Sequence, residues 1–288
     1  MLLVVPTKRL PIFSQHSRSW QQNLYVYPVI SRRSRGLSIG VNLNPDKACN
    51  FDCVYCCVDR STPPTVRRVD LAVIRAELDA MLDLACSEGL FAQAPFDQTP
   101  ADYRRLTDVA FSGNGEPTAC AQFAEACRLV ADVLAGRNLT GVKIVVITNA
   151  SLFHRPAVAQ ALAYLDAHNG EIWAKLDAGT EEYYRLIERT RVPFERVLRN
   201  ILEAGRLRPL VIQSLFVKYR GAGPDQREID AYVARLRDLW REGCRIKHVQ
   251  VYSVARPTAH GGVEPLEAAE LARIAARVRE AGIPAEAY

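Results

Sequence analysis

The sequence predicts an α/β fold, a partial (β/α)6 TIM-like barrel, and three observations lead to it. Short apolar runs and amphipathic helical patterns alternate about six times along the chain, and such alternation builds parallel strands joined by right-handed crossovers. The conspicuous polar groups fall just after the strand patterns, the end at which barrels keep their chemistry. No G-x-G-x-x-G follows a strand, which sets aside a Rossmann sheet. No stretch repeats another, so the chain is not a solenoid.

The elements follow in order. Residues 1–30 show no clear periodicity, and Pro6, Pro11 and Pro28 break any long element. Residues 1–36 are therefore expected as an irregular extension of a single domain spanning 1–288, packed onto the barrel through Trp20, Tyr25 and Tyr27. Residues 37–42 form the first strand, and Asn44-Pro45 turns the chain into a cysteine-rich loop. Asp70 suits a helix N-cap, with Leu71, Ile74, Leu78 and Met81 following at helical spacing. The pattern is lost over residues 87–106, where Pro95 and Pro100 indicate a loop insertion.

Strands at 109–112, 143–148, 171–176, 210–217 and 248–254 follow. Lys-Ile-Val-Val-Ile-Thr at 143–148 is the continuous apolar kind, buried on both faces. The helices between carry Phe123, Cys127, Val130 and Leu134, then Val158, Leu162 and Leu165 behind Pro156. A short helix is capped by Thr180. Three more run over 193–204, closed by Gly205, over 224–242, ending at Gly243, and over 265–281, stopped by Gly282 and Pro284.

The composition, 49% hydrophobic and 24% charged over 288 residues, is that of a globular chain able to bury a large core. A net charge of +5 suits an anionic partner such as RNA without requiring one. Of eight cysteines, Cys86, Cys120, Cys127 and Cys244 are scattered and form no C-x₂-C pair, so there is no disulfide framework. Cys120 and Cys127 read as buried small hydrophobes. Residues 1–5 are apolar but too short for a signal sequence, and no run reaches the length of a membrane span. A cytoplasmic, reducing location away from membranes is expected.

The sharpest feature is Cys49-Asn50-Phe51-Asp52-Cys53-Val54-Tyr55-Cys56-Cys57. Read as C-x₃-C-x₂-C, Cys49, Cys53 and Cys56 are three thiolates on one loop. A structural zinc site would want four ligands, and a ferredoxin cluster four cysteines. Three with no second knuckle point to a 4Fe–4S cluster with one iron open. Cys57 reads as packing. With Tyr55 ahead of its third cysteine, the motif resembles the signature of the radical SAM superfamily. That resemblance implies a barrel of the radical SAM type and S-adenosylmethionine bound at the open iron. It implies reductive cleavage to a 5′-deoxyadenosyl radical that takes a hydrogen from substrate, and a reductant such as flavodoxin or ferredoxin.

Other groups gather at strand ends. Gly113 and Gly115 permit close approach of backbone to a ligand, and Glu116 can accept from an ammonium. Read alone, this is a glycine turn before a helix. Beside the cysteine loop, Gly115-Glu116-Pro117 resembles the superfamily motif that holds the methionine end of the cosubstrate. Asn149 could bond a ribose or carboxylate. Lys175 and Asp177, two apart on one strand face, are an ion pair or a site pair. Gln213 lies in the fifth strand, and Tyr252 and Arg256 at the end of the sixth. The expected cofactor-binding residues are thus Tyr55, Gly113, Gly115, Glu116, Asn149, Asp177, Gln213 and Tyr252, with Lys175 and Arg256 facing substrate. Four of the histidines, His154, His168, His248 and His260, have no spacing that suggests a metal site.

Residues 28–33, 40–42, 49–57, 112–118, 175–179, 212–216 and 249–257 together resemble an Fe–S oxidoreductase family related to the tRNA wyosine-synthesising enzymes. This strengthens residues 31–33 as site candidates. Residues 1–48 contain no cysteine, so the second cluster of the wyosine enzymes is not expected, and the substrate stays open. The leading reading is a radical SAM enzyme acting on an unidentified substrate, with RNA a candidate; the expected partner is an anionic substrate, RNA or a small molecule. The alternatives are a radical SAM enzyme acting on a peptide or small metabolite, and a non-catalytic Fe–S or zinc binding protein. Residues 31–35 and 87–106 are the candidates for a lid over the mouth.

Overall fold

The computed structural model describes residues 11–13, 20–64 and 66–288; the expectations for residues 1–5 and Pro6 lie outside these. Its centre is an eight-stranded sheet in the order β1 (Val26–Ser31), β2 (Gly36–Val41), β3 (Leu106–Phe111), β4 (Lys143–Thr148), β5 (Gly170–Lys175), β6 (Leu210–Leu215), β8 (Ile246–Tyr252) and β10 (Ala285–Ala287). Only β1 runs antiparallel to its neighbour; the other strands pair in parallel. A separate antiparallel pair, β7 (Val217–Tyr219) and β9 (Val263–Pro265), stands beyond the end of β6. The helices are α1 (Leu71–Cys86), α2 (Phe123–Gly136), α3 (Pro156–Asp166), α4 (Glu181–Glu188), α5 (Phe194–Leu207), α6 (Gln226–Arg241) and α7 (Ala268–Glu280). Among the described residues no helix is long and apolar enough to cross a membrane.

The period-two alternation of each strand sorts the two faces of the sheet. Ile39, Val41, Val109, Phe111, Ile144, Val146, Ile172, Ile212, Val249 and Val251 point outward and pack against helical Leu78, Leu82, Leu134, Leu162 and Leu236 to form the main core. Ala110, Val145, Trp173 and Val211 point the other way and form a small cluster inside the lumen. The sheet stays open, because β1 and β10 are its two edges and do not pair. An exposed ion pair, Arg35 to Glu286 at 2.6 Å, spans the gap between them. The six expected parallel strands are all present, as a partial barrel rather than a closed one.

The differences have physical causes. Strand β1 lies inside the stretch expected to be irregular. Pro28 hid it, yet Pro28 is tolerated because β1 is a sheet edge, where a missing N–H breaks no ladder. Helix α5 runs through Gly205 instead of closing on it. A Cβ there would come 2.1 Å from Cys244 Sγ, so the glycine serves close packing. Pro265 belongs to β9, and α7 starts behind a Glu267–Glu270 capping box. The strands β7, β9 and β10 are three residues each, too short to show a period.

Residues 87–106 are not a lid. They form three 3₁₀ turns pinned by buried Leu90, Phe91 and Phe96. Arg105 C=O accepts from Leu37 N–H at 2.8 Å, which fixes the segment at the start of β2, opposite the cysteine loop. Residues 32–35, the turn between β1 and β2, also sit at this floor end, so neither lid candidate covers the mouth.

Candidate active site

The cysteine loop leaves β2 at its C-terminal end and is tied down on four sides. Asn42 Oδ1 accepts from Asn44 N–H at 3.0 Å and Asn114 N–H at 3.1 Å, joining the loop to the glycine turn after β3. Asn50 accepts from Asn149 Nδ2 at 2.8 Å and donates to Ser151 Oγ at 2.7 Å, joining it to the end of β4. Asp52 and Val54 N–H donate to the carbonyls of Glu188 and Ile187 at 3.2 and 2.9 Å, joining it to the end of α4. From the loop after β8, Ala259 N–H donates to Cys56 C=O at 2.8 Å. Val54 and Tyr55 anchor the loop in a buried cluster with Ile187, Leu215 and Val217.

Cys49, Cys53, Cys56 and Cys57 are all half-buried and line one cavity of about 320 Å³ that runs down the lumen. Every residue expected from the sequence lines it except Asp177. The thiols do not meet at a point: among the described residues no three His, Cys, Asp or Glu side chains are grouped to hold one ion. Cys53 Sγ lies 3.0 Å from Glu188 Oε2, and Arg60 donates to Cys56 Sγ at 3.4 Å. Burial pushes the Cys49 thiol up to about 11. Burial and then the Glu188 carboxylate push Cys53 well above the usual thiol range.

The turn after β3 is built against this loop. A Cβ on Gly113 would sit 2.3 Å from Asn42 Oδ1, and one on Gly115 would sit 1.9 Å from Ala48 C=O, next to Cys49. Glu116 is buried, and its Oε1 accepts from Thr118 N–H, Thr118 Oγ and Thr148 Oγ. Oε2 accepts from Asn149 N–H at 2.8 Å. Burial raises its pKa, with those donors pulling the other way.

Asp177, expected among the cofactor-binding residues, stands behind the cavity wall. Its side chain is fully buried and accepts from Tyr55 OH, from Leu215 N–H at 2.8 Å and from Lys175 Nζ at 3.0 Å. Lys175 also reaches Tyr252 OH at 3.2 Å, and its ammonium lies 5.0 and 5.5 Å from the Tyr55 and Tyr252 ring centroids. Burial alone would favour the neutral amine, but Asp177 together with Tyr252, Glu188 and Cys53 outweighs it and holds Lys175 above the usual lysine range. Lys175 is thus both the ion-pair partner and a cavity residue.

Glu188, Trp173 and Arg60 are among the lining residues not expected from the sequence. Glu188, at the end of α4, lies against Cys53 and within 3.4 Å of Tyr55 OH. Burial, followed by Asp177, pushes it well above the usual carboxylate range. Trp173 carries no motif and reads only as a strand residue. Arg60, outside the C-x₃-C-x₂-C spacing, holds the loop through Lys47 C=O as well as Cys56.

With this geometry in view, comparison with known proteins gives a consistent result. Residues 43–218 match the family model described as the radical SAM superfamily. A curated relative from Helicobacter pylori, called a UPF0026 protein, is 29% identical over 81% of this chain and 66% of its own length. The chain therefore spans just under two thirds of that relative. A solved structure of a radical SAM methyltransferase from Sphaerobacter thermophilus aligns with TM-score 0.63 at 16% identity, covering 91% of this chain and 68% of that one. A structure of TYW1 with a lysine–pyruvate adduct aligns with TM-score 0.50 at 17% identity, over 86% and 74%. At these identities the two structures show a shared fold.

Proposed function

Since the chain belongs to the radical SAM superfamily, we propose that it is an enzyme that cleaves S-adenosylmethionine reductively at a 4Fe–4S cluster and uses the radical on an anionic substrate. The observation that carries this reading is the meeting, in one cavity at the C-terminal strand ends, of three half-buried thiols, a glycine-lined turn and a cationic wall.

The residues fit the cluster. Each thiolate of a three-cysteine cluster would take a different iron, so the three thiols need not converge on one point. Cys49, Cys53 and Cys56 would hold it. A bound centre also offsets the cost of ionising buried thiols, since ligation removes their protons. When bound, the cluster supplies an electron to the sulfonium, and carbon–sulfur cleavage yields a 5′-deoxyadenosyl radical that takes a hydrogen from substrate. The electron comes from a reductant such as flavodoxin or ferredoxin.

The chain's own residues then have these tasks. Gly113 and Gly115 let backbone approach the methionine end of the cosubstrate. Glu116 Oε2, with one donor already in place, accepts from its ammonium. Asp177 fixes Tyr55 and Lys175, so it is a positioning residue. Lys175 and Arg256 present positive charge to the substrate. The cytoplasm suits such chemistry, because reduced thiols persist there. A cavity of about 320 Å³ is of the size that takes a small anionic molecule.

Anaerobic reconstitution, reduction with dithionite and incubation with S-adenosylmethionine should yield 5′-deoxyadenosine. A reconstituted protein that binds iron and makes none would move the reading to a non-catalytic Fe–S protein. RNA binding that weakens steeply with salt would replace the small molecule by RNA.

A further inference from the structure

Deep in the lumen, below the cysteine loop, Arg33 enters from the turn between β1 and β2. Its guanidinium lies 4.6 Å from the Tyr252 ring centroid and 5.7 Å from that of Trp173. Both rings lie within cation–π range of the guanidinium, and Arg33 lines the cavity. No carboxylate among the described residues forms an ion pair with it. Lys175 is different, because Asp177 already balances its charge.

The register places a second group beside it. Gln213 on β6 is opposite Lys175 on β5 and Gln250 on β8. Trp173 lies two residues before Lys175, and Tyr252 two after Gln250, so the rings that carry Arg33 flank Gln213 on the diagonal. Gln213 is fully buried and lines the cavity. Its Nε2 donates to Gln250 Oε1 at 2.9 Å, while its Oε1 has no partner among the described residues. A buried carbonyl oxygen left unpaired in a native fold calls for a donor, which the described residues do not supply.

We propose that Arg33 and Gln213 form a subsite for a small molecule carrying an oxyanion with a hydroxyl or amino group next to it. The Arg33 fork takes the carboxylate or phosphate, and Gln213 Oε1 accepts from the adjacent O–H or N–H. Lys175 and Tyr252 OH border the same row and give the ligand further polar contacts. The turn brings Arg33 up from the floor, so the anion lies deep and the rest of the molecule extends toward the cysteine loop. This deepens the proposed function and rests on it for what happens to the ligand; the binding itself needs no radical chemistry.

The test is calorimetric binding of four probes to the reconstituted holoprotein: acetate, glycolate, inorganic phosphate and glycerol phosphate. Glycolate should bind more tightly than acetate, or glycerol phosphate more tightly than inorganic phosphate; whichever pair binds identifies the oxyanion as carboxylate or phosphate. Arg33→Met, which keeps the stem packed on the rings, should weaken the better probe by roughly tenfold or more. Gln213→Leu should erase the advantage of the hydroxyl while leaving acetate or phosphate binding in place. Arg33→Lys should restore part of the affinity lost in Arg33→Met. The proposal is overturned if no probe binds the wild type at millimolar concentration, or if binding is the same in Arg33→Met. It is also overturned if the hydroxyl advantage survives in Gln213→Leu. Anion binding that depends on Arg33 in a protein making no 5′-deoxyadenosine would sink the radical reading and leave the subsite standing.

Discussion

At the floor of the lumen, Glu171 accepts from Lys143 at 3.0 Å, from Trp173 Nε1 at 2.9 Å and from Lys247. Burial alone would raise its pKa, but these donors hold it at about 2. At the mouth, Glu188 and Glu116 are buried more deeply still, and both are pushed up instead. Glu188 faces a thiol, a phenol and a second carboxylate, with one lysine shared among them. Glu116 has hydroxyl and backbone donors but no cation. Carboxylates closed on cations are part of the frame. Carboxylates kept without them are costly to bury, and such groups collect where a fold is shaped for a ligand.

The largest effect that tests this contrast is loss of the cluster. Cys49→Ala, Cys53→Ala and Cys56→Ala should each abolish iron incorporation on anaerobic reconstitution. Cys57→Ala, at the mouth but outside the spacing, should retain it, as should Glu171→Gln at the floor. Iron lost from Cys57→Ala would reassign the ligands. Iron lost from the floor variant would break the distinction between the two ends.

Next is Asp177→Asn, which removes the partner of a buried cation. Leaving Lys175 charged and unpaired should cost about 3 kcal/mol or more in urea unfolding. A smaller effect follows from Gly115→Ala. Its Cβ would meet Ala48 C=O at 1.9 Å, and that carbonyl is backbone and must move with Cys49. A loss of roughly 1–3 kcal/mol is expected, with reduced iron occupancy. An alanine variant with full iron and wild-type stability would show that the turn does not press on the loop.

How much of this contrast the sequence displays depends on whether its causes are local. The six parallel strands are legible because buried strands are continuous apolar runs, and the three thiols because their spacing is contiguous. Strand β1 is not, because Pro28 is acceptable only at an edge, and being an edge is a property of the whole sheet. Glu188 carries no motif; it meets Cys53, 135 residues away in sequence, only when α4 folds back over the loop. Asp177 is visible as a polar residue after a strand, but its position behind the wall, serving Lys175 and Tyr55, follows from geometry. The lid candidates failed for a related reason. Irregular sequence marks a loop without saying at which end of a barrel the loop lies.

The smallest effect concerns the floor and is a matter of pH. Glu171 has a native pKa of about 2 against an ordinary 4.5. A group depressed in this way stabilises the fold above its unfolded pKa, and the contribution fades as pH falls through the native value. The window therefore runs from about pH 4.5 down to about pH 2. The shift would correspond to about 3 kcal/mol, but both lysines are nearly half exposed. Solvent screening brings the expectation to roughly 1–2 kcal/mol. Glu171→Gln should thus unfold at lower urea than wild type at neutral pH, and the gap should close on acidification across that window. Raised groups such as Asp108 and Glu116 titrate alike in both proteins and cancel in the difference. A gap that stays constant to pH 2, or widens, would mean that the Glu171 charge is not what closes the floor, and the difference between the two ends would have to be sought in packing.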